Sequence, residues 1–103
     1  MSELELTMGE YLVEGYLEPL ELSQNALARA INVPVGRINE IIRGTRKITI
    51  DTDLRLCKFF EKTDGFFLSI QEEIERRKLK INLAKELQHI PTYTERFGKV
   101  SHA

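Results

Sequence analysis

Residues 22–44 decide the fold, and they read LSQNALARAINVPVGRINEIIRG. Apolar residues recur at helical spacing on either side of Asn32 and Pro34, which predicts two short helices joined by a tight turn. Ser23 is a candidate N-cap for the first helix, because its hydroxyl can accept a free backbone N–H. Gly44 suits the left-handed conformation that ends the second helix. The stretch therefore has the plan of a helix-turn-helix.

The second helix of this stretch has an inner and an outer face. Ile38, Ile41 and Ile42 lie at helical spacing and are expected to pack inward. Arg, Asn, Glu and Val on the other side are the side-chain types that contact base edges in a DNA major groove. Gly36 either allows another backbone or a DNA strand to approach, or lies in a loosely formed first turn. The predicted reading set is Val35, Gly36, Arg37, Asn39 and Glu40.

Polar and basic side chains flank the two helices and are candidates for contacts with the DNA backbone. At the start of the first helix, side-chain amides and free backbone N–H groups can meet a phosphate. Beyond the second helix, basic residues can hold the flanking backbone, or they can form an ordinary solvated loop. The candidates are Gln24, Asn25, Arg43, Thr45, Arg46 and Lys47.

The rest of the chain also favours helices. No segment alternates like a half-buried strand over a useful length, so we predict an all-α fold. A first helix covers roughly residues 8–17 and ends near Pro19. Further helices are predicted after Thr49 and Thr63, each capped by that threonine, and a last one runs to Pro91. The helix after Thr49 is apolar around much of its circumference and is expected to be central.

Length and composition indicate one globular domain. The chain has 103 residues, of which 42% are hydrophobic and 30% charged, values ordinary for a soluble domain. We assign residues 1–90 to the domain, whereas residues 91–103 lack periodicity and are expected to form a flexible tail. A secretory signal and a membrane-spanning run are absent, and the single cysteine, Cys57, suits a reducing compartment. We therefore expect a cytoplasmic protein that does not enter a membrane.

The net charge of −1 is unevenly divided along the chain. Residues 1–28 carry six Glu and no Lys or Arg, whereas residues 29–58 carry seven basic and three acidic side chains. Such asymmetry suggests one face for a polyanion and another for a basic partner. The alternative is that these charges only solvate helix surfaces.

No catalytic or metal-binding constellation is visible. His89 and His102 have no Cys or acidic partner at metal-ligand spacing. Cys57 lies in an apolar stripe and is expected to be buried and inert. Residues 44–47 lack the spacing of a phosphate-binding loop. We therefore expect no enzymatic activity, no metal or other cofactor and no small-molecule substrate.

Several motifs resemble the HigA/VapI branch of the Xre/Cro/C1 helix-turn-helix proteins. They are LSQNALARA at 22–30, GRINEI at 36–41, ITIDTDLRL at 48–56 and FFLSIQ at 66–71. The resemblance covers most of residues 7–90 and implies a lambda-repressor-like DNA-binding domain of five to six helices with a C-terminal helical extension. The positions that it implies face DNA are Gln24, Val35, Gly36, Arg37 and Asn39.

The resemblance also implies a function. HigA proteins are antitoxins that repress their own operon as dimers and neutralise a HigB toxin, a ribonuclease of the RelE type that cleaves mRNA. The partners expected on this basis are double-stranded operator DNA, a HigB-type toxin and a second copy of the chain. A stand-alone Xre-family regulator without a toxin is an alternative, as is a helical protein-interaction module that does not bind DNA.

Two further surfaces are candidate interfaces. Charge complementarity alone supports an acidic toxin-facing surface, formed by Glu10, Glu14, Glu18 and Glu21. One helix-turn-helix makes few phosphate contacts, so we expect a two-fold dimer on half-sites about one DNA turn apart. Four apolar residues either line the subunit contact or belong to the core: Phe66, Phe67, Ile70 and Ile74.

Overall fold

The computed structural model describes residues 6–98, and over that range the chain is helical with no strand. The all-α prediction is therefore confirmed. In chain order the elements are α1 (Met8–Leu12), the π-helical turn π1 (Val13–Leu17), α2 (Gln24–Ala30), α3 (Val35–Arg43), α4 (Ile50–Phe60), α5 (Phe66–Asn82), α6 (Ala84–Gln88) and α7 (Tyr93–Phe97). None of the described helices combines the length and apolar character needed to cross a bilayer.

The first predicted helix has the expected extent, but its second half is wound as a π-helix. Residues five apart face the same side of a π-turn, because each turn closes an i to i+5 hydrogen bond. Leu12 and Leu17 are accordingly both buried, and the rings of Tyr11 and Tyr16 lie 6.0 Å apart. The π-turn thus directs two pairs of apolar side chains toward the same core.

The helix-turn-helix forms as predicted. The Ser23 hydroxyl accepts a hydrogen bond from the backbone N–H of Ala26 at 3.0 Å and caps α2. Asn32 in the turn has φ +58°, and Gly44 ends α3 with φ +83°. Pro34 is the N-cap of α3 and not its first helical residue. These three residues thus fix the start of α2, the turn between the two helices and the end of α3.

The start of α5 differs from the prediction. Gly65, with φ +91°, is the N-cap, and Thr63 makes no side-chain cap. The capping group is instead the Asp53 carboxylate of α4, which is 1% exposed. It accepts hydrogen bonds from the backbone N–H groups of Gly65 at 2.7 Å and of Phe67 and Leu68 at 3.0 Å. A buried carboxylate on free N–H groups satisfies the helix start better than an exposed hydroxyl.

One apolar core is enclosed by α1, α2, α3, α4 and the first half of α5. Its fully buried side chains include Leu12, Leu27, Ile38, Ile41, Leu56 and Phe67. Cys57 is also fully buried, as predicted. The prediction that α4 is central is only partly correct, because Leu54 and Phe59 on its outer side are exposed.

The C-terminal arm, which we define as residues 76–98, lies outside this core. Every residue in it is exposed. The radius of gyration is 18.4 Å and the longest dimension 57 Å, whereas a compact chain of about 100 residues has a radius near 13 Å. The molecule is therefore a small globular core with a protruding arm.

The predicted tail contains a helix that its sequence did not indicate by periodicity. The Thr92 hydroxyl accepts from the Glu95 N–H at 3.1 Å, and the Glu95 carboxylate accepts from the Thr92 N–H at 2.8 Å. This capping box starts α7 and provides the local signal that a search for periodicity misses. The flexibility of residues 91–103 stays a prediction, and residues 99–103 lie outside the described range.

Candidate nucleic-acid interface

The α3 helix has one face in the core and one toward solvent. Ile38 and Ile41 are 0% and 1% exposed, and Ile42 packs against the core at its edge. Val35 in the first turn is 40% exposed, and nothing outside the helix's own backbone and the chain neighbours lies within 4 Å of a methyl group placed at Gly36. The inward isoleucines are thus as predicted.

Gly9 sets how closely α1 approaches α3. A Cβ atom at this position would lie 2.1 Å from the carbonyl oxygen of Ile42 and within 3 Å of two other backbone atoms of that residue. Only glycine allows the two helices this close. Sequence reasoning missed this contact, although a glycine inside a predicted amphipathic helix is a signal that can be sought.

Two predicted DNA-facing amides are bonded to each other. The Asn39 Nδ2 donates to Gln24 Oε1 and joins the middle of α3 to the start of α2. Asn39 keeps its oxygen and its second amide hydrogen, which are the groups that pair with adenine. The bond therefore orients the reading amide without using up its base-pairing edge.

Arg37 is held by a carboxylate network that the sequence did not reveal. Its Nη1 lies 3.3 Å from Asp51 Oδ1, and Arg55 Nε donates to the same oxygen at 2.8 Å. Arg55 Nη1 also donates to the carbonyl oxygens of Ile31 at 2.9 Å and Asn32 at 3.2 Å. Asp51 and Arg55 thus tie α4 to the turn and to the reading helix.

Cations of the loop after α3 are also paired with carboxylates. Arg46 Nε lies 3.0 Å from Glu40 Oε1, and Lys47 Nζ lies 3.0 Å from Glu75 Oε2 on α5. Arg43 is exposed and has no ion-pair partner within residues 6–98. Glu40, predicted to contact a base, is therefore engaged with the loop.

The path of this loop is further held by its neighbours. The Gln71 amide accepts from the Ile48 N–H at 2.8 Å and donates to the Ile48 carbonyl at 3.0 Å. The Thr45 hydroxyl donates to the Glu40 carbonyl at 3.3 Å. Asn25, at the first turn of α2, is exposed as a phosphate contact requires. The predicted DNA-facing residues thus lie on α3 and on the segments next to it.

The four acidic candidates line two adjacent open grooves. Glu10, Glu14 and Glu18 line a groove of about 480 Å³ that Ile42 of α3 also borders. Glu21 and Gln24 line the next groove, of about 410 Å³. The backbone N–H of Thr7 donates to the Glu10 carboxylate and lowers its pKa below the ordinary value. The structure thus brings these residues to one acidic face beside α3.

The four apolar candidates for a subunit contact pack within a single chain. Phe67 and Ile74 are buried, and Phe66 and Ile70 are half-buried against the core. Phe67 and Ile74 therefore offer little surface to a partner. The dimer contact itself stays a prediction.

The candidates for other chemistry stay apart. Among residues 6–98 there is no group of three or more His, Cys, Asp or Glu side chains that could hold a metal ion. His89 Nδ1 lies 2.7 Å from the Lys85 carbonyl oxygen. His102 lies outside the described residues.

Comparison with known families and proteins agrees with this geometry. A helix-turn-helix family, HTH_3, matches residues 14–67. Virulence-associated protein I of Dichelobacter nodosus is 44% identical over 80 residues, which cover 73% of this chain and 74% of the relative.

Solved structures show the same fold. The Pseudomonas aeruginosa antitoxin HigA with the higBA promoter has a TM-score of 0.74 and 29% identity, and the match covers 84% of this chain and 95% of that one. Another solved structure, of a Pseudomonas aeruginosa protein in complex with its 18-bp operator DNA, has a TM-score of 0.79 and 30% identity, over 84% and 93% of the two chains.

Proposed function

This chain belongs to the helix-turn-helix family HTH_3 and has a HigA-like DNA-binding fold, and from that premise we propose that it is a HigA-type antitoxin. In this proposal it represses transcription by binding double-stranded operator DNA through α3 as a homodimer. It also neutralises a HigB-type toxin, an mRNA-cleaving protein of the RelE type. The structural neighbours bound to a promoter and to operator DNA support the first part.

One observation carries the DNA-binding proposal. Ile38 and Ile41 are in the core, so Gly36 and Arg43 face away from it, and Val35 and Arg37 lie at the edges of this outer face. A convex helix face with an arginine, an asparagine and a small apolar residue fits the width and chemistry of a major groove. In this proposal, basic residues at and beyond the end of α3 hold the phosphates next to that end of the helix.

Replacing Arg37 tests which helix reads the DNA. We expect Arg37→Ala to weaken operator binding by about 1–3 kcal/mol and to relax preference at one base position, because a bidentate contact to guanine is lost. Lys58→Ala is the matched control. It removes one positive charge from α4, seven residues or about 10 Å along the helix from Asp51. Fluorescence anisotropy with operator variants gives both affinities and base preferences.

Equal operator affinities for Arg37→Ala and the unmodified chain would refute this placement of α3. An unmodified chain that binds no DNA at any salt concentration would favour the protein-interaction module. Such a module lacks the fall of log K with log salt that phosphate contacts produce.

The toxin contact is proposed for the acidic face formed by Glu10, Glu14, Glu18 and Glu21. These side chains are exposed and line adjoining grooves, so they form one continuous negative surface. A basic protein would be attracted to it from a distance, which raises the association rate. Because Ile42 of α3 borders one groove, a toxin bound there would lie close to the reading helix.

Charge reversal tests this face. We expect the double variant Glu14→Lys, Glu18→Lys to associate roughly ten- to a hundredfold more slowly at low salt with the small basic protein that the neighbouring gene would encode. Glu61→Lys with Asp64→Lys is the control, since both residues are exposed and lie after α4. Unchanged association rates would move the toxin contact elsewhere. The lack of any neighbouring reading frame for such a protein would favour a stand-alone regulator.

A further inference from the structure

Two residues of α4 connect this helix to the helix-turn-helix. Asp51 Oδ1 accepts from Arg37 of α3 at 3.3 Å and from Arg55, one turn further along α4, at 2.8 Å. Arg55 Nη1 donates in addition to the carbonyl oxygens of Ile31 at 2.9 Å and Asn32 at 3.2 Å. Neither Asp51 nor Arg55 belongs to the candidate DNA-facing set, yet both determine the surroundings of Arg37.

The backbone that carries the Asp51 carboxylate is well fixed. Asp51 lies in the first turn of α4, where the helix dipole favours a negative charge. Thr49 caps this turn by accepting from the Thr52 N–H at 3.3 Å. Ile48, just before the cap, is buried, and both its backbone groups are bonded to the Gln71 amide. The start of α4 is therefore a firm base for a side chain that contacts α3.

Arg55 fixes the position of α4 relative to the turn. Ile31 is the C-cap of α2, and carbonyl groups at a helix end have no partner in their own helix. A guanidinium is a planar fork that can donate to several acceptors at once. Here it bonds two carbonyl groups and one carboxylate, which joins the end of α2, the turn and the start of α4.

We propose that Asp51 and Arg55 are positioning residues for base recognition, which hold the Arg37 guanidinium in the orientation that reads one base pair. This role rests on the proposed function, in which α3 enters the major groove. A guanidinium has five N–H donors. The bond to Asp51 is made through Nη1, so donors remain for the two acceptors that a guanine presents.

The effect of this arrangement is on base preference more than on DNA affinity in general. An arginine that rotates freely can donate to any nearby phosphate oxygen, and phosphates carry no sequence information. An arginine that is ordered before binding loses less conformational freedom when it meets the correct base. Without Asp51, binding to the promoter should weaken relative to binding of unrelated DNA, whose phosphates then meet one negative charge fewer.

Fluorescence anisotropy on the full-length chain tests Asp51. The probes are a duplex from the promoter of its own gene and an unrelated duplex of the same length. We expect Asp51→Ala to lower the ratio of the two affinities about three- to tenfold, as the loss of one ordered long side chain would. Asp64→Ala is the matched control and should leave the ratio unchanged, because it makes the same change at an exposed residue beyond the other end of α4.

A second variant tests the fork of Arg55 without changing the net charge. Arg55→Lys keeps one positive charge, but a single ammonium lacks the planar fork that spans the carboxylate and the two carbonyl groups. We expect it to lower the affinity ratio as Asp51→Ala does. Arg77→Lys, the same change at an exposed residue of the arm, should have no effect. Thermal unfolding followed by circular dichroism checks that each variant remains folded.

A double-mutant cycle separates positioning from a general structural effect. In a chain that already carries Arg37→Ala, Asp51→Ala should change base preference no further, because the side chain that it orients is gone. In the unmodified background, the preference lost through Asp51→Ala should lie at the base pair where Arg37→Ala relaxes it. A general loss of structure would instead lower affinity for both duplexes in either background.

Hydrogen exchange tests the network separately from DNA binding. In the DNA-free chain, NMR should show the Arg55 Nε hydrogen exchanging with water roughly fivefold or more slowly than that of the exposed Arg43. Asp51→Ala should remove this difference. Equally fast exchange at the two arginines of the unmodified chain would overturn the positioning role.

Three binding results would also overturn it: a base preference that survives Asp51→Ala, an equal loss through Asp64→Ala, or a full further loss in the Arg37→Ala background. The proposed function has a different point of failure. An unmodified chain that binds both duplexes equally would overturn that function, and the positioning role with it. A promoter preference that survives Asp51→Ala would overturn the positioning role alone.

Discussion

At the scale of single residues, cations of the candidate DNA face are held in place before any DNA is bound. Asp51 accepts from Arg37, and Glu75 lies within 3.0 Å of Lys47. Exposed ion pairs of this kind contribute about 0–1 kcal/mol, so exchanging a carboxylate for a phosphate costs little. The pairs therefore position the cations without hindering their use.

Single residues also show what a sequence can and cannot reveal. Ser23, Asn32 and Gly44 were predicted correctly because each acts on backbone within a few residues of itself. Asp53 lies in the first turn of α4, where an acidic residue ordinarily serves its own helix, but its main partners are backbone groups 12 to 15 residues away. A contact of this separation depends on how two helices cross, which residue types and periodicity do not specify.

At the scale of elements, the position of α3 depends on its contact with α1 at Gly9. We expect Gly9→Ala to lower the free energy of unfolding by about 1–3 kcal/mol, because the new methyl group would overlap the backbone of Ile42. Urea denaturation measures this change. Operator binding should weaken as well, since α3 must shift to relieve the overlap.

Gly15→Ala is the control for this prediction. It lies in π1, in the same predicted helix, and no atom lies within 4 Å of the added methyl group. The free energy of unfolding of the Gly15→Ala variant should equal that of the unmodified chain or exceed it by up to about 1 kcal/mol, since alanine favours a helix more than glycine does. If both variants unfold at the same urea concentration, the backbones of α1 and α3 at Gly9 and Ile42 lie farther apart than described above.

The elements also differ in how much of them periodicity predicts. The extent of the first helix was predicted, but its π-helical half was not, because a few apolar residues in so short a stretch do not distinguish α-helical from π-helical winding. The part of the arm before Pro91 was predicted as helix, yet its exposure was not. Periodicity indicates that leucines share a face, and only the packing of the chain shows whether that face finds a partner.

At the scale of the whole molecule, a net charge of −1 is compatible with DNA binding because the charges are separated. The acidic face lies on α1, π1 and the turn after them, and the basic residues follow α3. Within the Debye length of about 8 Å at physiological salt, a phosphate next to the loop after α3 therefore responds mainly to the cations of that loop. Local charge, and not the total, governs the encounter with DNA.

Salt dependence measures how many of these cations act together. If Arg43, Arg46 and Lys47 of two copies each neutralise one phosphate, log K should fall with log salt with a slope of about −5, against about −3 for one copy. Arg46→Ala should make the slope shallower by about 1 for each bound copy. Anisotropy titrations between 50 and 200 mM salt give these slopes. A slope near zero for the unmodified chain would mean that its basic loop does not touch the DNA backbone.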